Sequence, residues 1–143
     1  IKELALNNPK VRFIFPVHLN PKIKEVVYKG LSDLNNVFLI SPLAYKEFVF
    51  LMIFTSFILT DSGGIQEEAP AFGKKVLVMR DSSERPEAIQ AGSSKLVSTI
   101  PKMIVNESQV LLDAAIDDDL LKKKNPYGDG KAAFKIINHL VTL

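Results

Sequence analysis

The chain has 143 residues, 47% of them hydrophobic and 24% charged, which indicates one folded domain with a real core. Its 18 basic and 16 acidic side chains are scattered and leave a net charge of +2, so nucleic acid is not an expected partner. The absence of cysteine excludes disulfides and thiolate metal sites, and it favours a reducing compartment such as the cytoplasm. The longest apolar run, residues 48–59, is shorter than the roughly 20 residues of a membrane span.

Short apolar runs alternate with segments of helical period along the chain, which is typical of βαβ units that build a parallel sheet. The runs are nearly continuous, as expected for strands covered on both faces. They lie at residues 11–15, 37–40, 57–60, 76–79 and 95–97. The predicted fold class is therefore α/β, with helices between parallel strands.

Two of the intervening helices differ in character. Residues 22–34 predict a one-sided surface helix, whose apolar stripe consists of Ile23, Val26, Val27, Leu31 and Leu34. Residues 45–54 are apolar on nearly every face, so this helix is expected to be deeply buried or covered by another domain.

The two ends of the chain also carry signals. The chain opens without methionine in KELALNNP, which reads as the middle of a helix and predicts that an upstream part is missing. From residue 100 onward the pattern is helical, with segments at 103–116 and 117–124. NPYGDG at 125–130 breaks the pattern, and a last helix runs to about Val141.

The stretch LTDSGGIQEEAP, residues 59–70, passes from the third strand into a helix. Ligands of open parallel sheets bind beyond the carboxyl ends of the strands, so this loop faces the expected crevice. Gly63 and Gly64 are expected to let the backbone turn sharply and approach a ligand, and the free N–H groups at the helix start suit phosphate. In the alternative interpretation, Ser62 is only an N-cap that starts the helix.

Two adjacent glutamates follow in that helix. Glu68 lies one helical turn beyond Gly64, and a carboxylate turned back toward the crevice suits the vicinal hydroxyls of a ribose. Glu67 points to another side of the helix, so we expect it to be solvated or to form a surface ion pair.

The loop RDSSERPEAIQAG, residues 80–92, follows the next strand and opens on the same crevice. Pro86 suits the first position of a short helix. An arginine beside a phosphate site could act as a second clamp on a diphosphate. The alternative is a solvated charged loop with a surface pair between arginine and glutamate.

Two further residues are candidates. His18 lies in PVHLNP, residues 16–21, where prolines stiffen the loop after the first strand and favour a side chain that faces the crevice. Phe48, near the start of the apolar helix, could stack on a base. Each has an ordinary alternative, which is a polar loop residue for His18 and core packing for Phe48.

Four motifs in this order and spacing closely resemble the non-hydrolysing UDP-N-acetylglucosamine 2-epimerases of bacteria: PVHLNP, LTDSGGIQEEAP, GKKVLVMRDSSERPEAIQAGSSKLV and NPYGDGKA. The resemblance covers essentially the whole chain. It implies a Rossmann-like three-layer domain with a parallel sheet, one of the two domains of a GT-B-type fold. Residues 1–143 would be the C-terminal UDP-binding domain, with its terminal helices at 100–143, and the N-terminal domain would be absent from this chain.

The resemblance also implies a reaction. Family members interconvert UDP-N-acetylglucosamine and UDP-N-acetylmannosamine by eliminating UDP to give a 2-acetamidoglucal and then adding UDP back on the other face. The reaction uses no metal or nicotinamide, so no cofactor is expected. The implied setting is a cytoplasmic bacterial isomerase that serves cell-surface polysaccharide biosynthesis and forms a homodimer when intact.

Individual residues acquire roles from the same resemblance. Ser62, Gly63 and Gly64 would hold the diphosphate of UDP, Glu68 would bind the ribose hydroxyls, and Phe48 would stack on the uracil.

The remaining roles concern the cleft between the two domains. Arg85, with Glu84 beside it, would serve the binding of substrate and of a second substrate molecule that acts as activator. His18 matches the histidine of the family's PVH motif and would assist the departing or returning UDP.

The chain departs from the family pattern in places. Ser82-Ser83 replaces the common Thr-Thr, and residues 73–75 read GKK where the family has GKP. Val49 stands where some members have a histidine linked to activation. The acidic residues that handle the proton at C2 of the sugar belong to the N-terminal domain, so this chain alone is expected to be inactive.

Three other functions stay open at this point. One is the hydrolysing 2-epimerase, which releases N-acetylmannosamine and UDP. Another is a UDP-sugar-binding module without catalysis, and the third is the donor domain of a GT-B glycosyltransferase.

Overall fold

The structure is a computed structural model and describes residues 1–114 and 125–142. The helical segment predicted at 117–124 lies outside the described residues. The elements in chain order are α1 (Lys2–Asn7), β1 (Phe13–Pro16), α2 (Pro21–Leu31), β2 (Val37–Ile40), α3 (Tyr45–Phe54), β3 (Phe57–Thr60), α4 (Gly63–Glu68), a 3-10 turn (Ala69–Phe72), β4 (Lys75–Val78), α5 (Pro86–Gln90), β5 (Ser94–Leu96), α6 (Pro101–Asp113) and α7 (Ala132–Val141).

All strand pairs in the described part of the chain are parallel. β1 pairs with β2, and β3, β4 and β5 pair in that order, so the hydrogen-bonded strands form two sheets. The register sets Thr60 beside Val78 and Val78 beside Leu96. The predicted α/β class with parallel strands is therefore confirmed. The loops that follow β3 and β4 leave from neighbouring strand ends.

The strands lie close to the predicted runs, and β1 shows why their bounds differ. β2 and β3 match the prediction, whereas β4 and β5 each begin one residue earlier. β1 begins at Phe13 instead of residue 11, because the side-chain amide of Asn36 bonds the carbonyls of Ala5, Asn8 and Val11 at 3.0, 3.1 and 3.1 Å. This side chain fixes the segment before β1, so Val11 lies outside the strand.

The helix α2 is shorter and less buried than predicted. It starts after the N-cap Asn20, whose side chain accepts from the Lys22 amide at 3.0 Å, and it ends at Leu31. Leu31 and Val27 pack into the core around β2, but Val26 is 71% exposed. The predicted apolar stripe was therefore too wide, since only its inner side contacts the strands.

Each sheet has its own buried cluster. Ala5, Leu31 and Val37 form the cluster beside β1 and β2. Ala69, Val76 and Val78 form the cluster beside β3 to β5. The second cluster supports the 3-10 turn and the strand ends from which the candidate site is built.

The apolar helix α3 has the predicted bounds but is not deeply buried in this chain. Met52 is buried, whereas Phe50 and Phe54 are 64% and 72% exposed. The helix contacts the 3-10 turn, and of the two alternatives predicted for it the structure contradicts deep burial within this chain. Covering by another domain stays a prediction. In the described ranges no helix combines the length and apolar character needed to span a membrane.

Candidate functional site

The loop after β3 leads directly into α4. Thr60, the last residue of β3, is buried, and its hydroxyl accepts from the Ser62 amide at 3.1 Å. Ser62 occupies the N-cap position with an extended backbone, but its side chain makes no capping hydrogen bond. The interpretation of Ser62 as a mere helix cap is therefore not supported, since its hydroxyl leaves the first amides of α4 to other partners.

The two glycines allow a close approach and are not needed for a turn. α4 begins at Gly63 itself, and neither Gly63 nor Gly64 has a positive φ, so the expected sharp turn was wrong. A Cβ placed on Gly63 would lie 3.2 Å from Cζ of Arg85. A Cβ on Gly64 would meet its nearest atoms, which include Glu68 Oε1, at 4.0 Å. Gly63 thus lets a guanidinium lie directly on the first turn of α4.

Arg85 is held over that turn by two carboxylates. Its Nε donates to Glu67 at 2.7 Å, and its Nη1 donates to Glu84 at 3.0 Å. The hydrogen bond to Glu67 raises the pKa of Arg85 above its already high ordinary value, so the guanidinium stays charged. Nη2 faces Gly63 and has no hydrogen bond within the described residues. Arg85 therefore keeps one donor edge available at the start of α4.

Glu68 turns back toward the same place. Its Oε1 lies 4.0 Å from the position of a Cβ on Gly64, and the Ser62 hydroxyl lies at the same distance from that position. Its Oε2 is buried and has no hydrogen-bond partner among residues 1–114 and 125–142. A buried carboxylate oxygen without a donor is costly, so this atom is suited to a hydroxyl that a ligand supplies.

Tyr45 joins the site from the first turn of α3. The Glu68 carboxylate raises the pKa of Tyr45, first by hydrogen bonding with the hydroxyl and then by its negative charge. The tyrosine therefore stays neutral at ordinary pH and can donate to Glu68.

A buried glutamine connects the two loops of the site. Gln66 is only 1% exposed, and its Nε2 donates to the Ser62 carbonyl at 3.2 Å. Its Oε1 accepts from the Ser83 hydroxyl at 2.7 Å, and the Ser83 oxygen accepts from the Arg85 amide at 3.1 Å. The loop after β3 and the loop after β4 thus share one continuous chain of hydrogen bonds.

The NPYGDG segment brings Tyr127 to α5, the short helix that follows Arg85. The Tyr127 hydroxyl is buried beside Ala88 of α5, and burial is the main cause that raises the pKa of Tyr127. The carboxylates of Glu87 and Glu67 raise this pKa further. The tyrosine hydroxyl therefore lies beside α5, within reach of the charges of Glu87 and Glu67.

His18 and Phe48 lie on other loops. His18 is exposed, and its Nδ1 accepts from the Asn20 amide at 3.0 Å, which leaves Nε2 as the nitrogen that can donate. Phe48 is half-buried in α3. Within the part of the chain that the structure describes, no hydrogen bond or ion pair joins either residue to Arg85 or Glu68.

Comparison with known proteins assigns the family. The family profile described as UDP-N-acetylglucosamine 2-epimerase matches residues 1–141. The chain belongs to this family. A Campylobacter jejuni protein named UDP-N-acetylglucosamine 2-epimerase is 50% identical over 142 residues, which are 99% of this chain and 37% of that protein.

Solved structures of 2-epimerases share the fold. The crystal structure of the Neisseria meningitidis enzyme bound to UDP-GlcNAc has a TM-score of 0.84 and 43% identity, and it covers 99% of this chain and 39% of that chain. A co-structure of an S. aureus protein with UDP has a TM-score of 0.87 and 40% identity, and it covers 97% of this chain and 38% of that chain. The chain therefore spans less than two fifths of the length of these relatives.

The structure brings together most of the residues expected from the epimerase motifs. These residues, which lie on the segments that follow β3 and β4, are Ser62, Gly63, Gly64, Glu68, Glu84 and Arg85. Glu84 touches the group only through Arg85, and its side chain is 85% exposed. His18 and Phe48 remain apart from the group, so their expected roles stay predictions. The surface ion pair expected for Glu67 is present, with Arg85 as its partner.

Four residues with contacts at or near the candidate site were missed by sequence reasoning, namely Tyr45, Gln66, Ser83 and Tyr127. Tyr45 carried a usable signal, because it starts the helix after β2 and therefore lies at a strand's carboxyl end. The other three lie inside quoted motifs, but their contacts join segments far apart in sequence, such as the bond between Ser83 and Gln66, and the motifs do not indicate these partners.

Proposed function

We propose that this chain is the C-terminal UDP-binding domain of a UDP-N-acetylglucosamine 2-epimerase. The intact enzyme would interconvert UDP-GlcNAc and UDP-ManNAc by eliminating UDP and adding it back. One observation carries the proposal: Arg85, Glu68 and the uncapped start of α4 meet at one place beyond the ends of β3 and β4. Family membership and the relatives solved with UDP or UDP-GlcNAc support the same ligand.

The charges of the site suit a diphosphate next to a ribose. Free amides at the start of α4 and the Nη2 edge of Arg85 are donors for phosphate oxygens. On the other side, the unpartnered Oε2 of Glu68 is an acceptor for a sugar hydroxyl. Glu68 Oε1 and the Ser62 hydroxyl both lie 4.0 Å from the position of a Cβ on Gly64, so the carboxylate and the donors of this site lie beside each other, as a diphosphate next to a ribose requires.

Phosphate has to compete with the carboxylates that already hold Arg85. Glu84 is 85% exposed, whereas Glu67 is 44% exposed and makes the shorter bond to Arg85. Displacing Glu84 into water therefore costs less than displacing Glu67. We expect a diphosphate to take the place of Glu84 on the guanidinium while Glu67 continues to hold Nε.

The remaining expected roles belong to residues that lie apart from the site, or to a further domain. His18 would assist the departing or returning UDP, and Phe48 would stack on the uracil. A further domain would supply the groups that handle the proton at C2, so this chain alone should bind UDP without epimerising the sugar. Homodimer formation and activation by a second UDP-GlcNAc molecule belong to the intact protein, for which we propose a cytoplasmic location.

The test is a calorimetric titration of this chain with UDP, repeated on two variants. Glu68→Gln and Ser62→Ala should each lower the affinity several-fold, because each removes an oxygen at the start of α4. Two exposed positions offer matched controls: Glu25→Gln on α2 and Ser56→Ala at the opposite end of β3 should bind UDP like the unchanged chain. If the site substitutions leave the UDP affinity as unchanged as the control substitutions do, the proposed placement of UDP is wrong.

A further inference from the structure

The chain of hydrogen bonds through Gln66 joins two loops that are separate in sequence. One end holds the Ser62 carbonyl, whose peptide group includes the Gly63 amide, and the other end holds the Ser83 hydroxyl. Ser83 in turn accepts from the Arg85 amide. The bridge therefore reaches from the backbone at the start of α4 to the backbone of the arginine that covers it.

We propose that Gln66 and Ser83 are positioning residues that fix Arg85 and the Ser62–Gly64 segment as one ligand-binding unit. The inference rests on the proposed binding of UDP at this segment. Neither residue needs to touch the ligand. They act by fixing the distance between the first amides of α4 and the Arg85 guanidinium, which are the two groups of donors that a diphosphate would bridge.

The bonding pattern is directional. The Ser83 oxygen accepts from the Arg85 amide, so its single proton is free to be donated to Gln66 Oε1, at 2.7 Å. Gln66 must then present its carbonyl oxygen to Ser83 and its amide nitrogen to the Ser62 carbonyl. The Ser62 carbonyl and the Ser83 hydroxyl together fix the orientation of the Gln66 side-chain amide, and this amide in turn holds the two loops together.

The side-chain pair of Arg85 and Glu67 cannot replace this bridge. Both of its partners are partly exposed, at 30% and 44%, and such pairs contribute little to rigidity. Gln66 is 1% exposed, so a group left there without a partner is penalised by burial. The buried bridge is therefore the stronger of the two connections between the loops.

The chain offers a matched set of variants at this bridge. Ser83→Ala removes the hydroxyl, and Ser83→Thr keeps it. Ser82→Ala removes the neighbouring hydroxyl, which is exposed and has no hydrogen bond among the described residues. Ser83→Ala should weaken UDP binding about fivefold to tenfold, the range expected for the loss of a hydrogen bond. Ser83→Thr and Ser82→Ala should bind like the unchanged chain.

Two further readouts separate positioning from general stability. In a double-mutant cycle, Ser83→Ala should cost little affinity once Arg85→Ala is present, because both changes remove the same donor. Nitrogen-15 NMR without ligand should show that Ser83→Ala shifts the Gly63 and Gly64 amide resonances, which Ser82→Ala leaves in place. Thermal unfolding of each variant identifies losses of affinity that only reflect a weakened fold.

The outcomes distinguish this inference from the proposed function. If the unchanged chain binds UDP and Ser83→Ala binds it equally well, the positioning role is wrong. If effects of Ser83→Ala and Arg85→Ala simply add, the bridge does not act through Arg85. If the unchanged chain does not bind UDP, the proposed function fails for this chain, and the glycine resonances alone decide whether the bridge couples the loops.

Discussion

Substituting the two adjacent glycines of α4 gives the sharpest test of the site. Gly63→Ala and Gly64→Ala make the same chemical change at the first two helical positions, but their surroundings differ. The new Cβ at Gly64 would have its nearest neighbours at 4.0 Å, which is ordinary contact, whereas at Gly63 it would meet Arg85 Cζ at 3.2 Å. The guanidinium would then have to move by a few tenths of an ångström.

The stability effects follow from these distances. Alanine is favoured over glycine within a helix by up to about 1 kcal/mol. Gly64→Ala should realise most of that gain, which for a chain of this size raises the melting temperature by about 3 °C. At Gly63 the displaced Arg85 weakens its partly exposed pair with Glu67, a loss of about 0.2–1 kcal/mol that offsets the gain. Gly63→Ala should therefore melt close to the unchanged chain.

UDP binding should fall in both variants, although neither is expected to be destabilised. A methyl group on either glycine occupies the space from which a phosphate reaches the first amides of α4, so both variants should bind UDP several-fold more weakly. Thermal unfolding followed by circular dichroism and calorimetric titration measure the two quantities. Equal stabilisation by both substitutions would show that Arg85 does not lie over Gly63. Unchanged UDP affinity in Gly64→Ala would show that the ligand does not use these amides.

Two further predictions concern single contacts. Glu68 raises the pKa of Tyr45 above its ordinary 10.0, so the neutral hydroxyl stabilises the fold below pH 10 and this contribution is lost as the pH rises past that value. Glu68→Gln should lower the pKa of Tyr45, measured as the difference between ultraviolet titrations with and without Tyr45→Phe; an unmoved titration would contradict the contact. Asn36→Ala should destabilise the chain by about 1–3 kcal/mol, because it leaves the carbonyls of Ala5 and Val11 without this donor, whereas the Asn8 carbonyl keeps its bond from the Val11 amide. The exposed neighbour Asn35→Ala should be nearly neutral in the same urea unfolding experiment, and equal effects would refute the role given to Asn36.

The strands and the main loop of the site were accessible from sequence because both depend on local pattern. Apolar runs identify strands covered on two faces, and the 3.6-residue period places Glu68 over Gly64. The start of β1 was not accessible, since it depends on Asn36, which lies 25 residues beyond Val11. The close approach of Arg85 to Gly63 was likewise not accessible from sequence, because Arg85 comes from another loop.

The burial of α3 illustrates a different limit. Its composition correctly indicates a helix that prefers an apolar environment. Composition does not say which surface provides that environment, and in this chain the 3-10 turn covers one side only. The bounds of α3 were therefore easier to predict from its sequence than the surface that packs against it.

The last helix, α7, has no buried residue over its 10 positions. Helices shorter than about 12–15 residues are only marginally stable in water unless packing supports them. The coil-to-helix balance of this segment should therefore follow its surroundings, with Phe134 and Leu140, 65% and 63% exposed, as the side chains that sense an apolar partner. The helical far-ultraviolet ellipticity of this segment should grow with protein concentration or with added mild detergent. The helix content of α7 would then report whether the chain has associated with an apolar partner.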